Sequence, residues 1–122
     1  MSDHHACHLL PADAGSVVLA RRAMNELGLA PLRTGKVKLI VSELVTNSVE
    51  HGRLGPEDHI EVRAHLDDSG SLRVEVLDDG PGPPVLTQGG LGWRVIERVA
   101  DRWGVERTGP HACVWFELDA GP

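Results

Sequence analysis

The hydrophobic period changes along the chain, and each period admits one kind of element. Val17, Ala20, Met24 and Leu27 recur at three- and four-residue steps, as do Val37, Ile40, Val41, Leu44, Val45 and Ser48. That spacing puts each set on one stripe of an α-helix. Ile60, Val62, Ala64 and Leu66 then alternate with polar residues, and so do Leu72, Val74 and Val76. A period of two marks strands with one buried face. The turn residues Asp67-Asp68-Ser69-Gly70 between the two runs predict an antiparallel hairpin.

Local signals set the boundaries. Pro11-Ala12-Asp13 reads as a helix start with Asp13 as N-cap, and Gly28 as its stop. The second helix follows Pro31 and runs to about His51, closed by Gly52. Glycines and prolines make residues 79–92 a loop, and a third helix over about 91–101 carries Leu91, Val95 and Val99 on one face. Strands over about 102–107 and 112–118 meet at Thr108-Gly109-Pro110, and residues 4–10 form a short strand or an arm. The order predicts an α+β fold: a two-layer α/β sandwich with helices on one face of a mainly antiparallel, mixed sheet.

Composition narrows the function. The 122 residues suit one domain, 1–122, and 41% hydrophobic with 25% charged residues suits a globular chain. The formal net charge of −6 argues against direct nucleic-acid binding, which needs Lys and Arg on phosphates, but permits a small anion held by backbone N–H groups. No apolar run nears the roughly 20 residues of a membrane helix. Met1-Ser2-Asp3-His4-His5 has no secretory pattern, so a cytoplasmic location without membrane partners is expected. Cys7 and Cys113 lack metal-site spacing and are expected to be reduced.

Three places break the pattern. Glu43, Asn47 and His51 recur every four residues and share one face of the second helix, which a solvated face would also explain. Asp78 has the parity of Leu72, Val74 and Val76, so its carboxylate points to the core side. A buried carboxylate needs a partner, either a turn it caps or a ligand amine. Gly80 and Gly82 follow the strand, and Gly90-Leu91-Gly92 leads into a helix, where backbone N–H groups and the helix dipole favour phosphate.

In this order the motifs resemble those of the GHKL (Bergerat-fold) ATPases. Val41–Gly52, reading VSELVTNSVEHG, is similar to the N box, Asp78-Asp79-Gly80-Pro81-Gly82 to the first glycine box, and Gly90-Leu91-Gly92 to the second. Asp101-Arg102-Trp103-Gly104 and Val114-Trp115-Phe116-Glu117-Leu118 also resemble the bacterial anti-sigma-factor serine/threonine kinase branch, over a core of about 10–118. The resemblance implies a histidine kinase-like ATPase domain that binds ATP and Mg²⁺. Glu43 would be the general base and Asn47 the Mg²⁺ ligand. Asp78 would accept from the adenine amine. Gly80 and Gly82 would lie against the base, and Gly90, Leu91 and Gly92 would hold phosphates. His51 closes the N box, either at the nucleotide or as a helix cap. The implied role is transcription regulation: phosphorylation of a STAS-type anti-anti-sigma partner, with a sigma factor as second partner.

Departures from that pattern keep an alternative open. The segment Pro83-Pro84-Val85-Leu86-Thr87-Gln88 is a short lid, and Gln88 stands where kinase-type relatives commonly carry a cation. His111-Ala112-Cys113 stands where they usually read Gly-Thr. The alternative is a catalytically weak or inactive ATP-binding domain that acts by binding a sigma factor or another protein. Leu9, Leu10 and Val18 are candidates for a homodimer contact, which core burial would explain equally.

Overall fold

The computed structural model of the chain describes residues 3–51, 53–80 and 91–121. Strand β1 (His4–Pro11) precedes helix α1 (Gly15–Ala23), which tightens into a 3₁₀ turn over Met24–Leu27. Helix α2 (Pro31–His51) follows, then β2 (His59–Leu66), β3 (Leu72–Asp78), α3 (Leu91–Val99), β4 (Arg102–Thr108) and β5 (His111–Leu118). The five strands form one sheet in the order β1-β2-β3-β5-β4. Every neighbouring pair is antiparallel, so the expected mixed sheet is antiparallel throughout.

Even-numbered residues of β2, β3 and β5 face the helices. Val62 opposes Val76, which opposes Val114, and Ala64 opposes Val74, which opposes Phe116. Val37, Ile40, Val41, Leu44 and Val45 of α2 are buried against this face, with Ala20, Met24 and Ile96. Each such Val, Ile or Leu contributes roughly 1.5–3 kcal/mol by leaving water. The apolar stripes of both helices and the hairpin register therefore follow the sequence pattern. Leu10 joins the core and is closed to a dimer contact, whereas Leu9 and Val18 remain exposed.

The first helix starts differently from its expected boundary. Asp13 does not cap it: Ala14 holds the N-cap position without a side-chain bond. The Asp13 carboxylate instead accepts from the Gly15 N–H at 2.9 Å, closing the turn ahead of the helix. Buried Ser16 donates to the Pro11 carbonyl and ties α1 to the end of β1. At the other end Gly28 has φ +65°, a left-handed conformation in which glycine avoids the Cβ penalty.

The odd-numbered face of β3 and β5 carries an ion-pair network beside the buried Leu77 and Cys113. Arg73 bridges Glu75 at 3.2 Å and Glu117 at 3.1 Å, and Arg102 meets Glu117 at 2.7 Å. The Arg73 guanidinium lies 4.2 Å from the centre of the Trp115 ring. That indole also covers Gly104, where an added Cβ would approach the ring to 2.7 Å. Both cysteines are free thiols; Cys7 is exposed, and burial pushes Cys113 up to about 11.

Candidate functional site

The last turns of α2 and the end of β3 meet at Asp78. Strand parity alone points this side chain toward the helix layer, and the residue is 6% exposed. Its carboxylate accepts from the Gly80 N–H at 3.0 Å and from the hydroxyl of Ser48 on α2. Burial raises its pKa above the ordinary 3.8, and neighbouring Asp79 adds to the rise. Ser48, the Gly80 N–H and the charge of Arg107 pull the other way. A carboxylate offers about four lone-pair sites. Among the described residues, Ser48 and Gly80 take two of these, which leaves capacity for a further donor.

Helix α2 carries the rest of the cluster. Glu43, Asn47 and Ser48 are half-buried, close in sequence to the buried Val41, Leu44 and Val45, and Ser48 reaches Asp78 of β3. Ser42, just before Glu43, donates to the Lys38 carbonyl at 2.7 Å and accepts from Arg21 of α1 at 2.8 Å. The second bond ties α2 to α1 one residue before Glu43. The Nδ2 atom of Asn47 is buried with no hydrogen-bond partner among the described residues. An orphaned buried donor costs about 1–3 kcal/mol, a debt tolerated where a ligand completes the site. His51, by contrast, ends α2 exposed, 3.7 Å from Glu50.

Of the glycine positions, Gly80 is buried beside Asp78, and Leu91 and Gly92 are the first residues of α3. Gly82 and Gly90 lie outside the described residues, as do Gly52 and the lid from Pro83 to Gln88. Two features are not evident from the sequence pattern. Ser48 falls in the apolar stripe of α2, yet its hydroxyl bonds Asp78; a lone serine in such a stripe is the available signal. His111 Nδ1 lies 2.8 Å from Asp79 Oδ1, clamping the residue after Asp78 onto the start of β5. Only the β3–β5 register, which pairs Asp78 with Ala112, brings these two together.

Helices on one face of an antiparallel sheet, with a buried acid where α2 meets β3, define a two-layer α+β domain. The chain belongs to the histidine kinase-like ATPase domain family, whose model matches residues 10–118. No curated protein is significantly similar to it in sequence. Among solved structures, it is similar to the histidine kinase domain of the blue-light activated histidine kinase of Erythrobacter litoralis EL346. The TM-score is 0.62 at 21% identity, over 89% of this chain and 61% of that one. A second structure of that kinase gives 0.66 at 21% identity, over 87% of this chain and 41% of the other. The RsbU and RsbW domains of Rv1364c from Mycobacterium tuberculosis give 0.70 at 20% identity, over 96% of this chain and 34% of that one. The chain thus spans less than two thirds of each of these structures, and they share its fold. No helix among the described residues is long and apolar enough to cross a membrane.

Proposed function

We propose that the chain, as one domain over 1–122, is an ATP-binding regulatory protein that uses Mg-ATP to phosphorylate a serine or threonine of a STAS-type anti-anti-sigma partner. The observation that carries the nucleotide reading is Asp78. It is a buried carboxylate with spare acceptor capacity, held by Ser48 and Gly80 inside the region matched by an ATPase family. The likeness to a structure containing an RsbW domain supports the anti-sigma kinase branch.

Asp78 would accept from the exocyclic amine of adenine and reject guanine, which presents a carbonyl there. Asn47 would hold the cation through its side-chain oxygen, since Mg²⁺ prefers oxygen ligands, and its Nδ2, without a partner among the described residues, would be available to donate to the nucleotide. Bound Mg-ATP supplies a transferable phosphoryl group whose charge the metal offsets. Glu43 would take the proton of the attacking hydroxyl. Gly80 and Gly82 would allow the backbone to lie against the base. Gly90, Leu91 and Gly92 would present N–H groups at the start of α3, and His51 closes the N box.

A second reading is an ATP-binding domain with little or no turnover that sequesters a sigma factor. It is favoured by Gln88 in place of a cation and by His111, which is engaged with Asp79 where relatives carry Gly-Thr. Calorimetric titration with ATP, with and without Mg²⁺, tests the shared premise; absence of binding at millimolar nucleotide refutes both readings. Labelled ATP with STAS-type proteins separates them: transfer to the partner supports the kinase, and binding without transfer supports sequestration.

A further inference from the structure

The sequence HHACH at positions 4–8 looks like a single local cluster, but β1 divides it. Alternation sends His4 and His8 to one face and His5 and Cys7 to the other. His8 is engaged on the helix side, 3.1 Å from Glu26. Cys7 donates its thiol hydrogen to Glu61 at 3.1 Å. His5 is left facing the outer side, where the antiparallel register sets it directly opposite His65 of β2. The two imidazole rings stack with centroids 4.1 Å apart and planes inclined by 6°. Asp3, just ahead of β1, places Oδ2 2.9 Å from His65 Nε2.

One ligand atom from each of Asp3, His5 and His65 lies within 4.8 Å of the other two. A tetrahedral ion with bonds of about 2.1 Å holds its donors about 3.4 Å apart. Each imidazole offers its lone pair in the plane of the ring, so the stack opens by χ rotation as the donors close by up to about 1.4 Å from their 4.8 Å limit. A shallow cleft of about 200 Å³, lined by His5, Cys7, Arg63, His65, Arg73 and Glu75, adjoins the cluster and leaves room for water on the open coordination positions. The neighbouring arginines are already matched, Arg63 with Glu61 and Arg73 with Glu75 and Glu117, so the approach is not dominated by unpaired cations.

We propose that Asp3, His5 and His65 form a binding site for a divalent transition-metal ion of the zinc class on the outer face of the sheet, stapling the edge strand β1 to β2. Two imidazoles and one carboxylate suit Zn²⁺, Ni²⁺ or Cu²⁺ and disfavour Mg²⁺, which seeks an all-oxygen octahedron. The site stands apart from the nucleotide reading and survives its failure.

The test is calorimetric titration of the untagged full chain with Zn²⁺ alone, with Mg²⁺ as the contrast. The expected result is one Zn²⁺ per chain and a higher melting temperature with the metal, because the ligands converge only in the folded state. Outer-shell partners alone are worth about 10- to 100-fold in metal affinity, so losing a direct ligand in His65→Ala or His5→Ala should cost more than about 10-fold. The double variant His4→Ala/His8→Ala should bind as the parent does. Circular dichroism checks each fold, and His65→Gln serves if His65→Ala is disturbed. Absence of Zn²⁺ binding overturns the proposal. So does binding that His65→Gln leaves intact while His4→Ala/His8→Ala abolishes it, since the N-terminal run would then chelate on its own.

Discussion

Replacing Asp78 with Asn separates what the carboxylate does for the fold from what it does for a ligand. The substitution keeps shape and an acceptor for the Gly80 N–H, now 3.0 Å from Oδ1, but removes the charge and turns one oxygen into a donor. A hydrogen bond to a charged group is worth about 1.5–3 kcal/mol, which at 1.4 kcal/mol per decade predicts ATP binding about 10- to 140-fold weaker. Stability should move the other way. Burial holds the folded-state pKa of Asp78 above its ordinary 3.8. Its favourable contribution is therefore complete below that value and is lost as pH rises through the folded pKa. At neutral pH the parent bears the cost of an ionised buried group, and Asp78→Asn is spared it. The variant should melt at or above the parent temperature at pH 7, with the parent gaining relative to it on acidification. Calorimetric titration with ATP and thermal melts from pH 7 to pH 4 read both effects. A folded Asp78→Asn protein that binds ATP as tightly as the parent refutes the adenine assignment. A large loss of stability at pH 7 refutes the desolvation reasoning.

Glu43→Gln should leave nucleotide affinity in place and lower any phosphoryl transfer by about 10²- to 10⁴-fold, measured with labelled ATP. Asn47→Ala should instead reduce the difference between ATP affinities measured with and without Mg²⁺. Gly104→Ala drives a Cβ to 2.7 Å from the Trp115 ring and should cost about 1–3 kcal/mol in urea unfolding. Paired with Trp115→Ala, the loss should fall short of the sum of the single losses, because the clash is gone. Arg102, and then Arg73, hold the Glu117 carboxyl below its ordinary 4.5, so its stabilisation is present above that value and lost as pH falls. Glu117→Gln should flatten the acid limb of the stability curve by no more than about 1 kcal/mol, since the pair is solvent-screened.

Patterning by itself determined the elements and which faces they bury. The helical stripes of Val17–Leu27 and Val37–Val45, the hairpin over 60–76 and the inward parity of Asp78 are local consequences of periods 3.6 and 2. Capping was legible only in part, because the Asp13 side chain can bond either a turn or a helix start with the same geometry. Ser48 as the partner of Asp78, His111 against Asp79 and His5 against His65 were set by tertiary structure alone. Each joins residues 30 to 60 positions apart through strand register or helix azimuth. A one-residue slip of β1 on β2 or of β3 on β5 would part the histidine pair or His111 from Asp79, and rotation of α2 would take Ser48 away from Asp78, so these contacts depend on the assembled sheet and helix layer.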